Sequence, residues 1–270
     1  MHASDDLVPD DLWERVAPLL PPRPPRRHRY PGRLPADDRA ALRGIVYVLG
    51  KSVSWRDVPA ERTGCSGITA WRRLRDWTDA GVWPRLHELL LAELRAEGLL
   101  EMDDAAIDGS HVRALKGVHT GPSPVDRGQP GSKHHLIVDR HGTPLAVTLI
   151  GGNRHDVTQL LPLLDVIPPI RGLRGRPRRH PRRLFADRGY DYDKYRRILR
   201  RLGITPKFAH RGVAHGSGLG KTRRVVERTF AWLHQFKRLR IRYEIRADLH
   251  LGLLPLACSI ICLRKLRTSF

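Results

Sequence analysis

The segment 134–152, HHLIVDRHGTPLAVTLIGG, predicts two β-strands joined by a turn at residues 139–144. AAIDGSHVRA at 105–114 alternates as a strand does, and RLFAD at 183–187 and ITPKF at 204–208 predict two further short strands. Helical patterns follow the third, fourth and fifth strands. This order is typical of an α/β layer fold with a mixed sheet.

The first hundred residues have a different pattern, in which helices alternate with breaks rich in Pro and Gly. We therefore predict a helical domain at 1–100 and an α/β domain at 101–270. The three cysteines make an odd number and lack metal-type spacing, so they indicate neither a disulfide framework nor a zinc site and favour a reducing cytoplasm. The longest apolar run, 251–263, falls short of the roughly 20 residues that span a bilayer, and the N-terminus lacks signal-peptide features.

Within the helical domain, the segment 66–82, SGITAWRRLRDWTDAGV, is the candidate DNA-reading segment. Ser66 or Thr69 can cap a short helix that leaves Arg72, Arg73 and Arg75 on its polar side. A short helix, a turn and a basic helix are typical of a helix-turn-helix. A three-helix bundle with a solvated arginine face explains the same pattern equally well.

Charge is the strongest global property of the chain. It carries 49 Lys and Arg against 28 Asp and Glu, a net charge of +21. Such an excess predicts a polyanionic partner, and double-stranded DNA is the first candidate.

Three carboxylates have no evident role as helix caps or turn residues. Asp108 lies within the first strand, Asp187 ends the fourth, and Glu227 lies on the polar face of a late helix. Asp156, by contrast, precedes Gln159 by three residues, and we assign it to a capping box. Acids that converge from different elements are what a two-metal phosphoryl-transfer site needs. An exposed Arg223–Glu227 pair at i,i+4 is the alternative explanation of Glu227.

Four motifs resemble one protein family. IDGSHV, GGNRHD, FADRGYD, and RRVVERTFAWL followed by KRLRIRYE are similar to those of DDE-type bacterial insertion-sequence transposases, specifically the insertion-sequence-five family. The resemblance runs through nearly the whole chain. It implies a ribonuclease-H-like catalytic core behind a helix-turn-helix-like domain, with Asp108, Asp187 and Glu227 as the metal-binding triad.

The resemblance also implies a reaction and its partners. We expect two Mg²⁺ ions, with Mn²⁺ as a substitute, and cleavage of DNA at the element's ends followed by strand transfer into target DNA. A homodimer in the DNA complex and a cytoplasmic, nucleoid-associated protein are further expectations. A basic DNA-binding regulator without catalysis, or a ribonuclease-H-like nuclease without strand transfer, would be the alternatives.

Two positions depart from the family's glutamate motif. Arg223 and Glu227 match its centre, whereas Gly220 stands at its tyrosine position and His234 at its basic position. Lys237 or Arg238 could supply the missing phosphate contact, and we expect Arg238 on the same helical face as Glu227. The predicted DNA-binding residues are Arg72, Arg73, Arg75, Arg223, Arg224, Lys237 and Arg238.

Overall fold

The structure, a computed structural model, describes residues 6–23, 25, 28–29, 34–210 and 220–268, with the backbone alone at 220–223. Its first part is helical, as predicted. The helices there are α1 (Asp10–Val16), α2 (Asp38–Lys51), α3 (Ala60–Thr63), α4 (Gly67–Asp79) and α5 (Val82–Ala96). The Ser66 hydroxyl accepts a hydrogen bond from the Thr69 N–H (3.3 Å) and so caps α4.

One mixed sheet forms the second part. Its strands are β1 (Asp104–Ala114), β2 (Gly121–Pro122), β3 (Pro130–Asp139), β4 (Pro144–Gly151), β5 (Arg183–Ala186), β6 (Thr205–Phe208) and β7 (Ile241–Arg242). β4, β3 and β1 are antiparallel neighbours, and β5 and β6 continue the sheet parallel to β1. The five predicted strands are confirmed, and the topology is that of the expected ribonuclease-H-like core.

The remaining helices cover both sides of this sheet. They are α6 (Leu160–Asp165), α7 (Asp193–Arg201), α8 (Gly220–Gln235) and α9 (Ala247–Arg267). His134 of β3 lies on one side of the sheet, near His250 of α9 and His234 of α8. Burial, followed by the charges of these two histidines, lowers the pKa of His134. Phe208 of β6 marks the other side, because the Arg196 guanidinium of α7 lies 5.3 Å from its ring centroid. We call these the α8 side and the α7 side.

The hydrophobic core is continuous across the predicted boundary near residue 100. α9 packs against β4 and also against α4 and α5, and side chains such as Trp83 and Leu253 belong to one buried cluster. α9 is longer than the apolar run seen in the sequence and could cross a bilayer by length and composition, but 78% of its most apolar window is buried. It is therefore the central core helix, and Cys258 and Cys262 are core residues in it. The division into two domains stays a prediction.

Candidate active site

The first two candidate carboxylates are neighbours across the sheet. β1 and β5 pair in parallel with Ala106 opposite Phe185, so two residues further along Asp108 lies level with Asp187. Side chains alternate along extended backbone, and Asp187 is still extended (φ −78°, ψ −179°). Both carboxylates therefore point to the α8 side from strands about 4.8 Å apart.

A glycine N–H orients each of these aspartates. Asp108 Oδ1 accepts a hydrogen bond from the Gly109 N–H, and Asp187 Oδ1 accepts one from the Gly189 N–H, both at 2.8 Å. A Cβ at position 189 would lie 2.9 Å from Asp187 Oδ1. The glycines of IDGS and ADRG therefore hold the carboxylates in place. Both side chains are half-buried, and their oxygens are the donor type that hard divalent cations prefer.

Glu227 lies on α8, which packs against β1, β3 and β5. Its neighbour Val226 is fully buried, whereas Glu227 itself is exposed. Among the described residues, no three His, Cys, Asp or Glu side chains are arranged to hold a metal ion. The three carboxylates are therefore not gathered around one cation position in this structure, and Glu227 as the third ligand stays a prediction. Asp108 and Asp187 fit a divalent cation by donor type and register; Glu227 fits by donor type alone.

The side chain of Arg223 lies outside the described residues, so its pairing with Glu227 stays a prediction. The next turn of α8 is fixed to the β3–β4 turn. The Arg228 guanidinium donates to the His141 carbonyl (2.8 Å), and the Thr229 hydroxyl donates to the Gly142 carbonyl (2.7 Å). These contacts hold the middle of the helix that carries Glu227.

A buried polar cluster lies behind Asp108, on the α7 side. Lys133 Nζ donates to Asp156 Oδ1 at 2.8 Å, and His135 Nε2 lies 3.6 Å from the same oxygen. The His135 ring covers Gly109, where an added Cβ would lie only 2.8 Å from its Cε1 atom. Burial, partly opposed by Asp156, lowers the pKa of His135 to about 4, so the imidazole is neutral at pH 7.

This cluster corrects the assignment of Asp156. Residues Asp156–Gln159 form a 3₁₀ turn in which the Asp156 carboxylate makes no capping bond, and α6 begins only at Leu160. The cluster also joins two motifs of the sequence, because His135 Nδ1 lies 3.4 Å from the Tyr190 hydroxyl and His155 Nε2 lies 3.3 Å from the Tyr192 hydroxyl. The loop after Asp187 thus rests on the GGNRHD segment. Sequence reasoning missed Lys133 and His135, which stand two residues apart on one face of β3.

Arg238 is not where the sequence placed it. α8 ends at Gln235, and Lys237–Leu239 form a separate 3₁₀ turn. Arg238 is 5% exposed; its guanidinium donates to Glu244 Oε1 (2.8 Å) and to the Val53 carbonyl (3.0 Å). The prediction that Arg238 shares the exposed face of Glu227 is wrong, and its guanidinium is engaged by Glu244 and the Val53 carbonyl.

Glu244 belongs to the same buried network. Burial opposes its ionisation, but the hydrogen bond with His250 and the charge of Arg238 outweigh burial and lower the pKa of the Glu244 carboxyl. His250 Nε2 in turn lies 2.8 Å from His134 Nε2. Glu244 is therefore an ionised structural acid and not a substitute for Glu227.

The other predicted DNA-binding residues divide into exposed and paired side chains. Arg72, Arg224 and Lys237 are exposed. Arg73 lies 3.1 Å from Asp38, and Arg75 pairs with Asp76 at 2.8 Å. Pairing lowers the availability of Arg73 and Arg75 to phosphates, and Arg72 is the best-presented cation of the segment 66–82.

Both parts of the chain match known families. Residues 8–87 match a family described as "Putative transposase of IS4/5 family", and residues 100–262, more than half of the chain, match one described as "Transposase DDE domain". The chain belongs to the DDE transposases. The resemblance seen in the sequence is thus confirmed, and with it an enzyme that acts on DNA and depends on divalent metal.

Two relatives and one solved structure illustrate the similarity. A "Putative transposase for insertion sequence element IS402" of Burkholderia cepacia is 62% identical over 150 residues, which cover 56% of this chain and 71% of the relative. An uncharacterized 16.2 kDa protein of the same insertion element is 56% identical over 109 residues, covering 40% of this chain and 74% of that protein. The catalytic core of BIV integrase is 17% identical, with a TM-score of 0.35, and covers 63% of this chain and 99% of that one.

Proposed function

We propose that this transposase cuts DNA at the ends of its insertion sequence and joins the released 3′-hydroxyl to target DNA. The observation that supports this reaction best is the register of β1 and β5, which sets Asp108 beside Asp187. Glu227 is the proposed third member of the site, carried by a helix that packs on the same side of the sheet.

Asp108, Asp187 and Glu227 would hold two Mg²⁺ ions, with Mn²⁺ able to replace them because it suits the same oxygen ligands. When bound, such ions activate a water or a 3′-hydroxyl and stabilise the leaving oxygen of an in-line phosphoryl displacement. The protein's own contribution is orientation. The Gly109 and Gly189 N–H groups each hold one carboxylate oxygen, which leaves the set of acids preorganised.

Recognition of the ends is assigned to the helical part of the chain. α3 and α4, joined by a turn that Ser66 closes, would form the helix-turn-helix, with Arg72 as its leading contact. Arg224, Lys237 and Arg223 would contact phosphates near the carboxylates, and Arg73 and Arg75 would do so only by exchanging their carboxylate partners for DNA. A homodimer in the DNA complex and association with the nucleoid complete the proposal.

A nicking assay on DNA that carries the element's end tests the triad. Asp108→Asn and Asp187→Asn should each abolish Mg²⁺-dependent nicking, and both should still bind the DNA. Asp165→Asn is the matched control, because Asp165 is exposed on α6, and it should cut like the wild type. Nicking by either site variant would refute the assignment, and recovery of joined products separates a transposase from a simple nuclease.

Within the family, the alternative is a copy that binds DNA but has lost catalysis. Such a protein would bind the end DNA with a steep salt dependence but would release no nicked or joined product with Mg²⁺ or Mn²⁺. The same assay on the wild-type chain therefore decides between the two functions.

A further inference from the structure

α7 presents a row of cations that neither the triad nor the helix-turn-helix uses. Lys194, Arg197 and Arg201 are all exposed. They stand at i, i+3 and i+7, so at 100° per residue they fall within about 60° of one another on the helix. The opposite face carries the buried Arg196 and Leu199. We call these three residues the α7 stripe.

The stripe lacks the carboxylate partners that many arginines of the chain have. Across the described ranges, none of its three side chains forms an ion pair. By contrast, the arginine-rich loop 171–183 lies beside acids: Arg178 Nη1 is 2.9 Å and Arg182 Nε 3.5 Å from Asp103 Oδ1, and Arg183 pairs with Asp104. Asp103 and Asp104 therefore engage these three loop arginines, whereas no carboxylate among the described residues engages the α7 stripe.

Contacts on the buried face of α7 hold the stripe rigidly. Arg196 pairs with Asp191 at 2.6 Å and donates to the Phe208 carbonyl at 3.2 Å, which ties α7 to the edge strand β6. The helix begins six residues after Asp187, and the intervening Tyr192 contacts His155. The stripe is thus fixed to the same framework that positions Asp187.

The α7 stripe and Arg72 lie on opposite sides of the sheet. α4 packs on α9, and α9 covers the α8 side, whereas α7 covers the other side. One short duplex held by Arg72 is therefore separated from α7 by the sheet and its covering helices. We propose that the α7 stripe binds the phosphates of a second double-stranded DNA segment, independently of sequence.

The dimensions of the stripe suit a phosphate track. Seven residues of α-helix rise about 10 Å, and a DNA strand carries one phosphate per 3.4 Å of helix axis. Because successive phosphates also turn around the axis, the row is long enough to contact about two or three phosphates of one strand. This binding does not depend on the proposed cleavage and strand-transfer chemistry.

The test measures binding to a duplex of unrelated sequence, in EDTA, as a function of salt. Lys194→Gln/Arg197→Gln/Arg201→Gln should weaken binding about tenfold or more and reduce the slope of log K against log salt by about 2 to 3. Gln keeps the helical propensity of Lys and Arg, and circular dichroism checks the fold. Arg197→Lys/Arg201→Lys preserves the charge and should retain binding.

The matched control is Arg178→Gln/Arg182→Gln/Arg267→Gln, which removes the same charge from side chains that carboxylates already engage, since Arg178 and Arg182 lie beside Asp103 and Arg267 pairs with Asp11. The affinity of this control for the duplex should stay within about twofold of that of the wild type. Equal losses in both triple variants would show that only net charge matters, and wild-type binding by the α7 variant would also overturn the proposal. A wild-type chain that binds this duplex but never nicks end DNA would remove the proposed chemistry and leave the α7 surface intact.

Discussion

Glu227 and Glu244 lie in one arginine-rich stretch of sequence, yet they occupy opposite environments. Glu227 is exposed on α8, whereas Glu244 is 6% exposed and bonded to Arg238 and His250. Desolvation makes a buried carboxylate costly unless it is paired, so Glu244 requires the polar partners that surround it. No such constraint acts on Glu227, whose presence among cations has no structural explanation in the described residues.

The largest expected effect is a difference between substitutions of these two acids, because one should reduce stability and the other should abolish activity. Glu244→Gln should destabilise the fold by about 3 to 5 kcal/mol, because it leaves the buried Arg238 charge without its partner. Glu227→Gln should leave the denaturation midpoint unchanged and abolish nicking of end DNA. Urea unfolding and the nicking assay, run on both variants, check the comparison. A stable Glu244 variant, or a Glu227 variant that still cuts, would break it.

The next largest expected effect is a loss of folding stability at acidic pH. Burial lowers the pKa of His87 to about 4 and that of His134 well below 6.5. Each is neutral in the folded chain and takes up a proton on unfolding below pH 6.5. The contribution of these two neutral histidines to the free energy of unfolding is therefore complete above about pH 6.5. It is lost as the pH falls toward 4, by about 1.4 kcal/mol per pH unit for each histidine.

Denaturation at pH 7.5, 6 and 5 measures this loss. His87→Gln should reduce the pH dependence by one histidine's share, and His141→Gln, at an exposed position, should leave it unchanged. An identical pH dependence in the wild type and the His87 variant would contradict the expected neutral state of this imidazole.

Gly109→Ala tests the packing behind Asp108. An added Cβ would lie 2.8 Å from His135 Cε1 and 3.4 Å from Asp156 Oδ1, and the buried ring has no space in which to move. We expect a loss of about 1 to 3 kcal/mol together with reduced nicking, since Asp108 is the adjacent residue. Gly50→Ala is the control, because its added Cβ meets nothing within 4 Å. Equal stability of the two variants would mean that His135 does not constrain Gly109.

Local pattern was sufficient to predict much of this molecule. The strand at 105–114 alternates, the segment 134–152 has a turn between two apolar runs, and Ser66 caps α4 by its side-chain chemistry, so these elements were predicted from sequence. Asp108 and Asp187 could be selected because no cap or turn role was evident for them in the sequence, although the structure shows that the Asp187 carboxylate caps the turn Arg188–Tyr190 through the Gly189 N–H. The misassignments concern residues whose partners are distant in sequence. Asp156 bonds Lys133, 23 residues away, and Arg238 reaches Val53 across 185 residues, and no periodicity reports such contacts.

The smallest expected effect repeats the comparison on the surface of α4, with two adjacent arginines. Arg72 is exposed, whereas Arg73 lies 3.1 Å from Asp38. Arg72→Gln should weaken binding of end DNA about fivefold and lower the salt slope by about 1, the share of one phosphate contact. Arg73→Gln removes the same charge from a side chain that Asp38 already engages, and binding should change by less than about twofold. Titrations at two salt concentrations measure both. Because the two variants have the same net charge, a larger loss for Arg73→Gln would mean that DNA displaces Asp38, and that pairing in the unbound chain does not predict which arginine meets the phosphates.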